Sequence, residues 1–220
     1  MHRTTLPAAL LCALLCSPAM AETGVGLQIG TTGYGADLGY QINDRLGARV
    51  GYSAFNYSHS VHDTDVDYDG KLKLSSFRAL ADLELGYGFR VTGGLAFNNN
   101  RIDIDGRPSG TSYTLNGTTY QASDVGSLKG RIKLGNGAAP YLGLGYGMIG
   151  KKGLGFYADI GAMYMGKPKT TLDVTCGSAL SAAQCSQLRT DAEAERQKVE
   201  DKASDYKWYP VLSAGISYAF

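Results

Sequence analysis

Residues 208–220 alternate at period two between two faces of different chemistry. One face is apolar and carries aromatic side chains at both ends: Trp208, Pro210, Leu212, Ala214, Ile216, Tyr218 and Phe220. The other face carries smaller and partly polar side chains: Tyr209, Val211, Ser213, Gly215, Ser217 and Ala219. Because successive side chains of a strand point to opposite faces, this segment predicts a strand with one apolar face. A strand in the wall of a membrane-spanning barrel has this pattern, with aromatic residues at both membrane interfaces.

Residues 1–21 have the pattern of a secretory signal peptide. A charged start is followed by an apolar stretch, residues 6–16, and residues 19–21 (Ala-Met-Ala) form a small-x-small cleavage site. We therefore predict an exported protein whose mature chain, 22–220, forms the folded unit.

The mature chain has balanced charge and no apolar run long enough for a spanning helix. Of the 21 basic residues one, Arg3, lies in the signal peptide, so 20 remain against 20 acidic residues. This balance argues against nucleic-acid binding. The longest uncharged stretch, 134–150, contains six Gly and one Pro and falls short of the roughly 20 apolar residues that a spanning helix needs. An exported, strand-rich chain of this kind is a secreted β-domain or an outer-membrane barrel, since only helices and closed barrels span bilayers.

Alternating segments separated by turn signals recur through the mature chain. The clear segments number nine if 24–30 is counted separately, whereas bacterial barrels have even strand numbers. Fusing the first two segments gives eight strands, and separating 170–175 as its own strand gives ten. Ten strands place the long segments 58–70, 98–124 and 176–206 on the same side of the membrane. The sequence therefore predicts an all-β fold, an antiparallel transmembrane barrel of about ten strands, with eight as the alternative.

Two of the long segments predict structure of their own. Asn116-Gly117 is flanked by short alternating runs and is a strong hairpin signal, so 98–124 is predicted to hold a β-arm. Residues 178–202 are rich in Ala, Gln and charged side chains, with Arg196 and Glu200 spaced for a helical contact. We predict a short helical insertion there, outside the membrane, or else a partly ordered loop.

The whole chain resembles small outer-membrane β-barrel proteins of Gram-negative bacteria, of the OmpW, OmpA and CarO kind. The resemblance rests on the signal peptide, the Pro-Tyr-Leu-Gly-Leu-Gly strand at 140–145 and the terminal strand that ends on Phe220. It implies a bacterial outer-membrane location, and it implies that Trp208, Tyr218 and Phe220 serve as a membrane-insertion signal. Outer-membrane lipid, lipopolysaccharide and the barrel assembly machinery are the implied partners, and no cofactor is expected.

Ten charged residues lie on the faces assigned to the barrel interior. They are Asp37, Arg49, Arg78, Asp82, Glu84, Arg90, Lys129, Arg131, Lys133 and Asp159. Each unpaired charge in a narrow lumen would cost several kcal/mol, so these residues are expected to pair. Two interpretations remain open, a closed plug of ion pairs and a narrow polar pore for small solutes.

The loop at 58–70 contains a weak candidate for a divalent-cation site. Asp65, Asp67 and Asp69 match the start of a calcium loop, but the twelfth position is Ser76 instead of Glu. The alternative is a solvated acidic loop. The same loop carries His59 and His62 beside Asp and Ser residues, which leaves a hydrolase site at the rim as a minor alternative.

Cys176 and Cys185 are the two cysteines of the mature chain. In an exported protein they are predicted to form a disulfide that closes the base of the helical insertion.

These observations predict an integral outer-membrane barrel that is not an enzyme. It would act as a narrow passive pore for small polar solutes or as a structural surface protein. The alternative is surface adhesion or ligand binding through the loops 58–70, 98–124 and 176–206. A plugged lumen with ordered loops would favour binding, whereas a continuous lumen would favour transport.

Overall fold

The alternating segments form strands almost throughout. The computed structural model describes residues 22–62, 66–108, 112–121, 124–135 and 137–220, and within these ranges the chain forms thirteen strands and one helix. The elements are β1 (Thr23–Gly30), β2 (Gly33–Gln41), β3 (Leu46–His62), β4 (Val66–Gly86), β5 (Phe89–Asn98), β6 (Arg101–Pro108), β7 (Ser112–Leu115), β8 (Thr118–Gln121), β9 (Val125–Lys133), β10 (Ala138–Tyr146), β11 (Gly153–Tyr164), β12 (Lys169–Cys176), α1 (Ala182–Ala203) and β13 (Trp208–Ala219). The signal peptide predicted at 1–21 lies outside the described residues.

Eight of the described strands close into an antiparallel barrel. The hydrogen-bonded order around the ring is β1, β2, β3, β4, β5, β10, β11 and β13, and β13 pairs with β1 to close it. Closure leaves this ring without a free edge, which is the condition for a sheet to sit in a bilayer. β1 begins and β13 ends at the same end of the barrel, which we call the terminal end; the opposite end is the distal end.

Three more strands extend the barrel beyond its distal end. β4 pairs with β5 along its C-terminal part and with β6 along residues 66–73, so β6 continues the line of β5. In the same way β9 continues β10, and β12 continues β11. We call β6, β9 and β12, together with the distal parts of β3 and β4, the distal sheet. The wall is therefore tall on this side and short at β1, β2 and β13.

The ring has the alternative count of eight strands instead of the favoured ten. Ten strands would require the chain to reverse between β9 and β10 and between β11 and β12, but in both places the second strand continues in the direction of the first. Gly135 and Gly166 both have positive φ, a backbone state that serves a kink as well as a tight turn. A Cβ on Gly135 would lie 2.2 Å from the backbone oxygen of Met165, so this close crossing requires glycine. β1 and β2, by contrast, are separate strands of a tight hairpin.

The helix and the arm are confirmed. α1 starts with a capping box, in which the Ser181 hydroxyl accepts from the Gln184 backbone while the Gln184 side chain accepts from the Ser181 backbone. β7 and β8 pair across Asn116-Gly117, and both turn residues have positive φ, as a two-residue hairpin of this type requires. None of the described helical segments is long and apolar enough to cross a membrane.

The outer surface of the ring is an apolar band between two aromatic belts. The distal belt consists of Tyr34, Tyr52, Phe77, Phe97, Tyr164 and Trp208, all exposed. The terminal belt consists of Tyr40, Phe89, Tyr146, Phe156 and Tyr218, also exposed. Aliphatic side chains such as Leu142 and Ile160 lie between the belts. Along β13, Trp208 and Tyr218 are about 33 Å apart at the usual strand rise, or about 25 Å along the barrel axis at a tilt of about 40°. This height and chemistry match the hydrocarbon layer of a bilayer.

Candidate functional site

The middle of the barrel interior is filled by an ion-pair network. Arg49 donates from Nη1 to Asp159 Oδ2 at 2.9 Å, and its Nε lies 3.2 Å from Asp82 Oδ2. Arg90 donates from Nη2 to Asp159 Oδ1 at 2.6 Å and from Nε to Asp82 Oδ1 at 3.1 Å. The Thr92 hydroxyl donates to the same Asp82 oxygen at 2.6 Å. Each carboxylate is thus shared by two guanidiniums, and none of the four charged residues is more than 6% exposed.

A second pair completes the charge balance of this layer. Arg78 donates to Asp37 Oδ1 at 3.1 Å, and the Tyr157 hydroxyl donates to Asp37 Oδ2 at 2.8 Å. The Tyr157 ring also lies 5.8 Å from the Arg49 guanidinium carbon, at cation–π distance. Three arginines therefore face three aspartates, and the layer carries no net charge.

Apolar layers lie above and below the charged network. On the distal side the packed residues are Leu80, Ala96, Ala139, Tyr141, Met163, Met165 and Val211, with Leu134 and Tyr209 against them. On the terminal side Met148 and Ile149, from the turn after β10, fold into the barrel and are buried. A Cβ on Gly39 would lie 2.6 Å from the Ile149 side chain, so a glycine in β2 makes room for this plug. A water-filled channel would leave its lining side chains accessible, whereas the side chains of these layers are buried, apart from Leu134 and Tyr209, which are partly buried.

The structure places seven of the ten predicted interior charges inside the ring. Six form the central network, and Glu84 lies nearer the terminal end, where Lys151 pairs with it at 2.6 Å. The Lys151 side chain is half exposed, so this pair meets solvent at that end.

The interior placement of Lys129, Arg131 and Lys133 is wrong. These residues lie on β9 in the distal sheet, where all three are exposed on the outer face. β9 alternates as the sequence predicts, but the charged face points outward and the apolar face inward. Beyond the membrane the surrounding medium is water, so the apolar side chains turn inward and the charged ones outward. Arg131 pairs there with Asp103 at 2.6 Å. Burial acts to raise the pKa of Asp103, but hydrogen bonds from Arg131 and Arg101 hold it below its usual range.

The proposed cation site stays a prediction. Asp65 and the side chain of Asp67 lie outside the described part of the structure. Asp69 accepts a hydrogen bond from the Ser60 hydroxyl at 2.6 Å. His59 is exposed and stacks on Tyr57, with ring centroids 6.1 Å apart.

The disulfide is confirmed, and it holds α1 against the distal sheet. Cys176 at the end of β12 is bonded to Cys185 in α1, with Cα atoms 5.7 Å apart. Leu188, fully buried, then packs with Leu115 of the arm and Val125 of β9.

A tyrosine–aspartate hydrogen bond links the arm to the helix, and no pattern in the sequence indicates it. The Tyr120 hydroxyl donates to Asp191 Oδ2, and the Asn116 amide donates to Asp191 Oδ1 at 3.3 Å. Burial and this hydrogen bond raise the pKa of Tyr120 to about 12. The hydrogen bonds from Tyr120 and Asn116 hold the pKa of Asp191 below its ordinary value.

The three residues of the suggested insertion signal lie on the lipid-facing surface. Trp208 is 62% exposed and packs edge-on against Tyr164 in the distal belt, with ring centroids 5.0 Å apart. Tyr218 and Phe220 contact each other at the terminal end, with ring centroids 5.9 Å apart. Their role in insertion stays a prediction.

An apolar pocket of about 530 Å³ lies at the distal mouth, over the short β1–β2 hairpin. Two of its lining residues, Ile29 and Tyr34, belong to the lipid-facing wall. Across the hairpin it is lined by Phe55, Leu72, Leu74, Leu134 and Tyr209. We call it the mouth pocket. A second groove runs along the wall beside Leu27 and Ile216 and belongs to the membrane-facing surface.

Comparison with known proteins agrees with this architecture. No protein-family profile and no curated protein matches the chain. Among solved structures, the crystal structure of Acinetobacter baumannii CarO superposes with a TM-score of 0.57 at 26% identity, covering 90% of this chain and 98% of that one. The crystal structure of Acinetobacter baumannii CarO2 superposes with a TM-score of 0.58 at 24% identity, with the same coverage.

The chain is an outer-membrane β-barrel protein. It lies in the outer membrane of a Gram-negative bacterium. Barrels of this class have short periplasmic turns and longer extracellular loops. The terminal end, with the turns at 42–45 and 87–88, is therefore periplasmic, and the distal sheet and α1 are extracellular.

Proposed function

We propose that this barrel is closed to solutes and binds an amphipathic ligand in the mouth pocket at the cell surface, without enzymatic activity. The observation that carries the proposal is the packing of the interior. The charged layer and the two apolar layers together fill the cross-section of an eight-strand ring, which has little room beyond its own side chains.

The energetics of the charged layer favour a permanent plug over a pore that opens readily. Breaking one partner out of a buried ion pair costs about 3–5 kcal/mol, and here every carboxylate of the central network serves at least two groups. Arg49 and Arg90 are joined through both Asp82 and Asp159, so moving either arginine disturbs both carboxylates. A passive pore for small polar solutes would have to break this network to conduct.

The mouth pocket supports binding at the surface. Its volume lies within the range of small-molecule sites, and its lining is almost wholly apolar. It is continuous with the lipid-facing wall through Ile29 and Tyr34, which are 71% and 65% exposed. This continuity favours an occupant with an apolar chain, which would lie in the pocket, and a polar end, which would face the water above.

Energy transfer from Trp208 tests the proposal, because this is the protein's only tryptophan and it precedes the pocket residue Tyr209. A dansyl-labelled fatty acid is added to the folded protein in lipid nanodiscs. We expect saturable transfer from Trp208 that an unlabelled fatty acid reverses. Losing an aromatic side chain that the bound ligand would cover removes roughly 1–2 kcal/mol of apolar contact, so Phe55→Asn should weaken binding about tenfold.

Tyr57→Asn is the matched control. Tyr57 lies two residues along the same face of β3 and is also exposed, but it does not line the pocket. It should bind as the wild type does. Transfer that rises without saturation, equally in all three proteins, would mean that the probe only partitions into the bilayer, and the proposed site would be abandoned.

A further inference from the structure

Four basic residues lie side by side on the outer face of the distal sheet. In the strand register Lys73 is opposite Arg101, Arg101 is opposite Lys133, and Lys133 is opposite Lys169. We call these four residues the cationic row. Like charges placed directly opposite each other destabilise a sheet, so such a row is unfavourable unless an anion covers it.

Carboxylates of the protein neutralise only part of this row. Asp103 Oδ2 lies 3.3 Å from Arg101 Nε and 3.7 Å from Lys73 Nζ, but the Asp103 carboxylate also pairs with Arg131. Neither Lys133 nor Lys169 forms an ion pair with any carboxylate in the described ranges. Both of these lysines are exposed.

The row lies just beyond the lipid-facing belt. β4 is continuous and unbulged from 66 to 83, so Lys73 points to the same side as Phe77 of the extracellular aromatic belt. Their separation of four positions spans about 13 Å of strand, or about 10 Å along the membrane normal at a tilt of about 40°. Arg101 stands at the same spacing from Phe97. This is the height of the headgroups of the outer leaflet.

The charge along the distal sheet changes with distance from the membrane. The next row outward contains Lys71, Asp103, Arg131 and Thr171, and the row beyond it contains Asp69, Asp105, Lys129 and Asp173. Cations thus dominate nearest the bilayer, and carboxylates dominate furthest from it. A soluble anion would have no reason to prefer this gradient, whereas phosphates fixed at the membrane surface would.

We propose that the cationic row binds the phosphate groups of lipid A, the membrane anchor of lipopolysaccharide. Its phosphates sit at the junction of the acyl chains and the sugars, at the height of the row. The acyl chains would then lie against the apolar wall below Phe77 and Phe97. The interaction is separate from the mouth pocket, which lies over the β1–β2 hairpin and is lined by none of these four residues.

Native mass spectrometry of the full chain in mild detergent tests this proposal with added bisphosphorylated lipid A. Each basic side chain near an anionic surface contributes about fivefold in binding, so Lys133→Gln/Lys169→Gln should weaken binding about 25-fold. The control is the double variant Lys152→Gln/Lys202→Gln, which also removes two positive charges, one from a periplasmic turn and one from the end of α1. It should bind lipid A as the wild type does. If the double variant folds poorly, Lys133→Gln alone should weaken binding about fivefold.

Two further measurements separate lipid binding from a structural effect. Without lipid A, the double variant Lys133→Gln/Lys169→Gln, which we call the row variant, should unfold at the same temperature as the wild type or higher. The substitutions relieve the repulsion between neighbouring cations of the row. With lipid A present, the wild type should become the more stable of the two. The proposal would be overturned if dephosphorylated lipid A bound equally well or if millimolar inorganic phosphate displaced lipid A. It would also be overturned if the row variant bound lipid A as tightly as the wild type.

Discussion

Replacing Asp159 by Asn should destabilise the barrel more than any comparable change of charge at its surface. Asp159 accepts three hydrogen bonds, from Arg49 at 2.9 and 3.0 Å and from Arg90 at 2.6 Å. An asparagine keeps one acceptor oxygen but turns an NH₂ donor toward a guanidinium, and the buried layer acquires a net positive charge. Removing one partner from a buried network of this kind costs about 3–5 kcal/mol.

Urea unfolding of the protein in phospholipid vesicles, followed by the heat-dependent shift of the folded barrel on gels, measures this cost. With a slope of about 2 kcal/mol per molar, the unfolding midpoint should fall by roughly 2 M. Asp173→Asn removes the same charge from the exposed outer face of the distal sheet and should shift the midpoint by only a few tenths of a molar.

Adding Arg49→Met to Asp159→Asn should recover part of the loss, because it restores the charge balance of the layer. Equal midpoints for Asp159→Asn and Asp173→Asn would refute the reasoning, since they would mean that water reaches and screens the interior.

Three other predictions follow from the same geometry. Leu142 is exposed on the lipid-facing band between the belts, so Leu142→Arg should cost about 2–4 kcal/mol and lower the folded fraction on gels; normal assembly would place this face away from lipid. Reducing the bond between Cys176 and Cys185 should cost about 2–3 kcal/mol locally, seen as faster hydrogen exchange in α1 with the barrel strands unchanged. Exchange that becomes faster to the same degree in α1 and in the barrel strands would contradict this. The pKa of Asp191 is lowered, so its contact with Tyr120 contributes to stability above about pH 4 and is lost as the pH falls further. The pKa of Tyr120 is raised, so the same contact is also lost as the pH rises from about 10 to 12. Pulsed-EPR distances between α1 and the β7–β8 hairpin should widen outside that window, and Tyr120→Phe should abolish the change at high pH.

The sequence was sufficient for the barrel wall because lipid imposes a one-sided chemistry on every strand. The alternation of 208–220, ending in aromatic residues, leaves a single arrangement in which the apolar face meets hydrocarbon. The strand count was harder, because a positive-φ glycine such as Gly135 serves a reversal and a kink equally well. Only the register of β10 with β5 and of β9 with β6 distinguishes the two.

The interior charges show a second limit. Alternation separates two faces but does not say which one points inward, and the answer for Lys129 depends on whether the strand lies in lipid or in water. The mouth pocket could not be predicted either, because it arises from the difference in height between the β1–β2 hairpin and the β3–β4 hairpin. The cationic row depends on the register of four strands that are far apart in sequence.

Single-channel recording in planar bilayers tests the central claim, that the interior is sealed. The purified, folded protein in concentrated potassium chloride should give no regular conductance steps. Asp37→Asn provides the check against contaminating channels, because it changes one charge in the middle of the interior. A unit conductance that appears with the wild-type barrel and changes in size or ion selectivity with Asp37→Asn would show that ions pass through this lumen and would contradict the closed barrel.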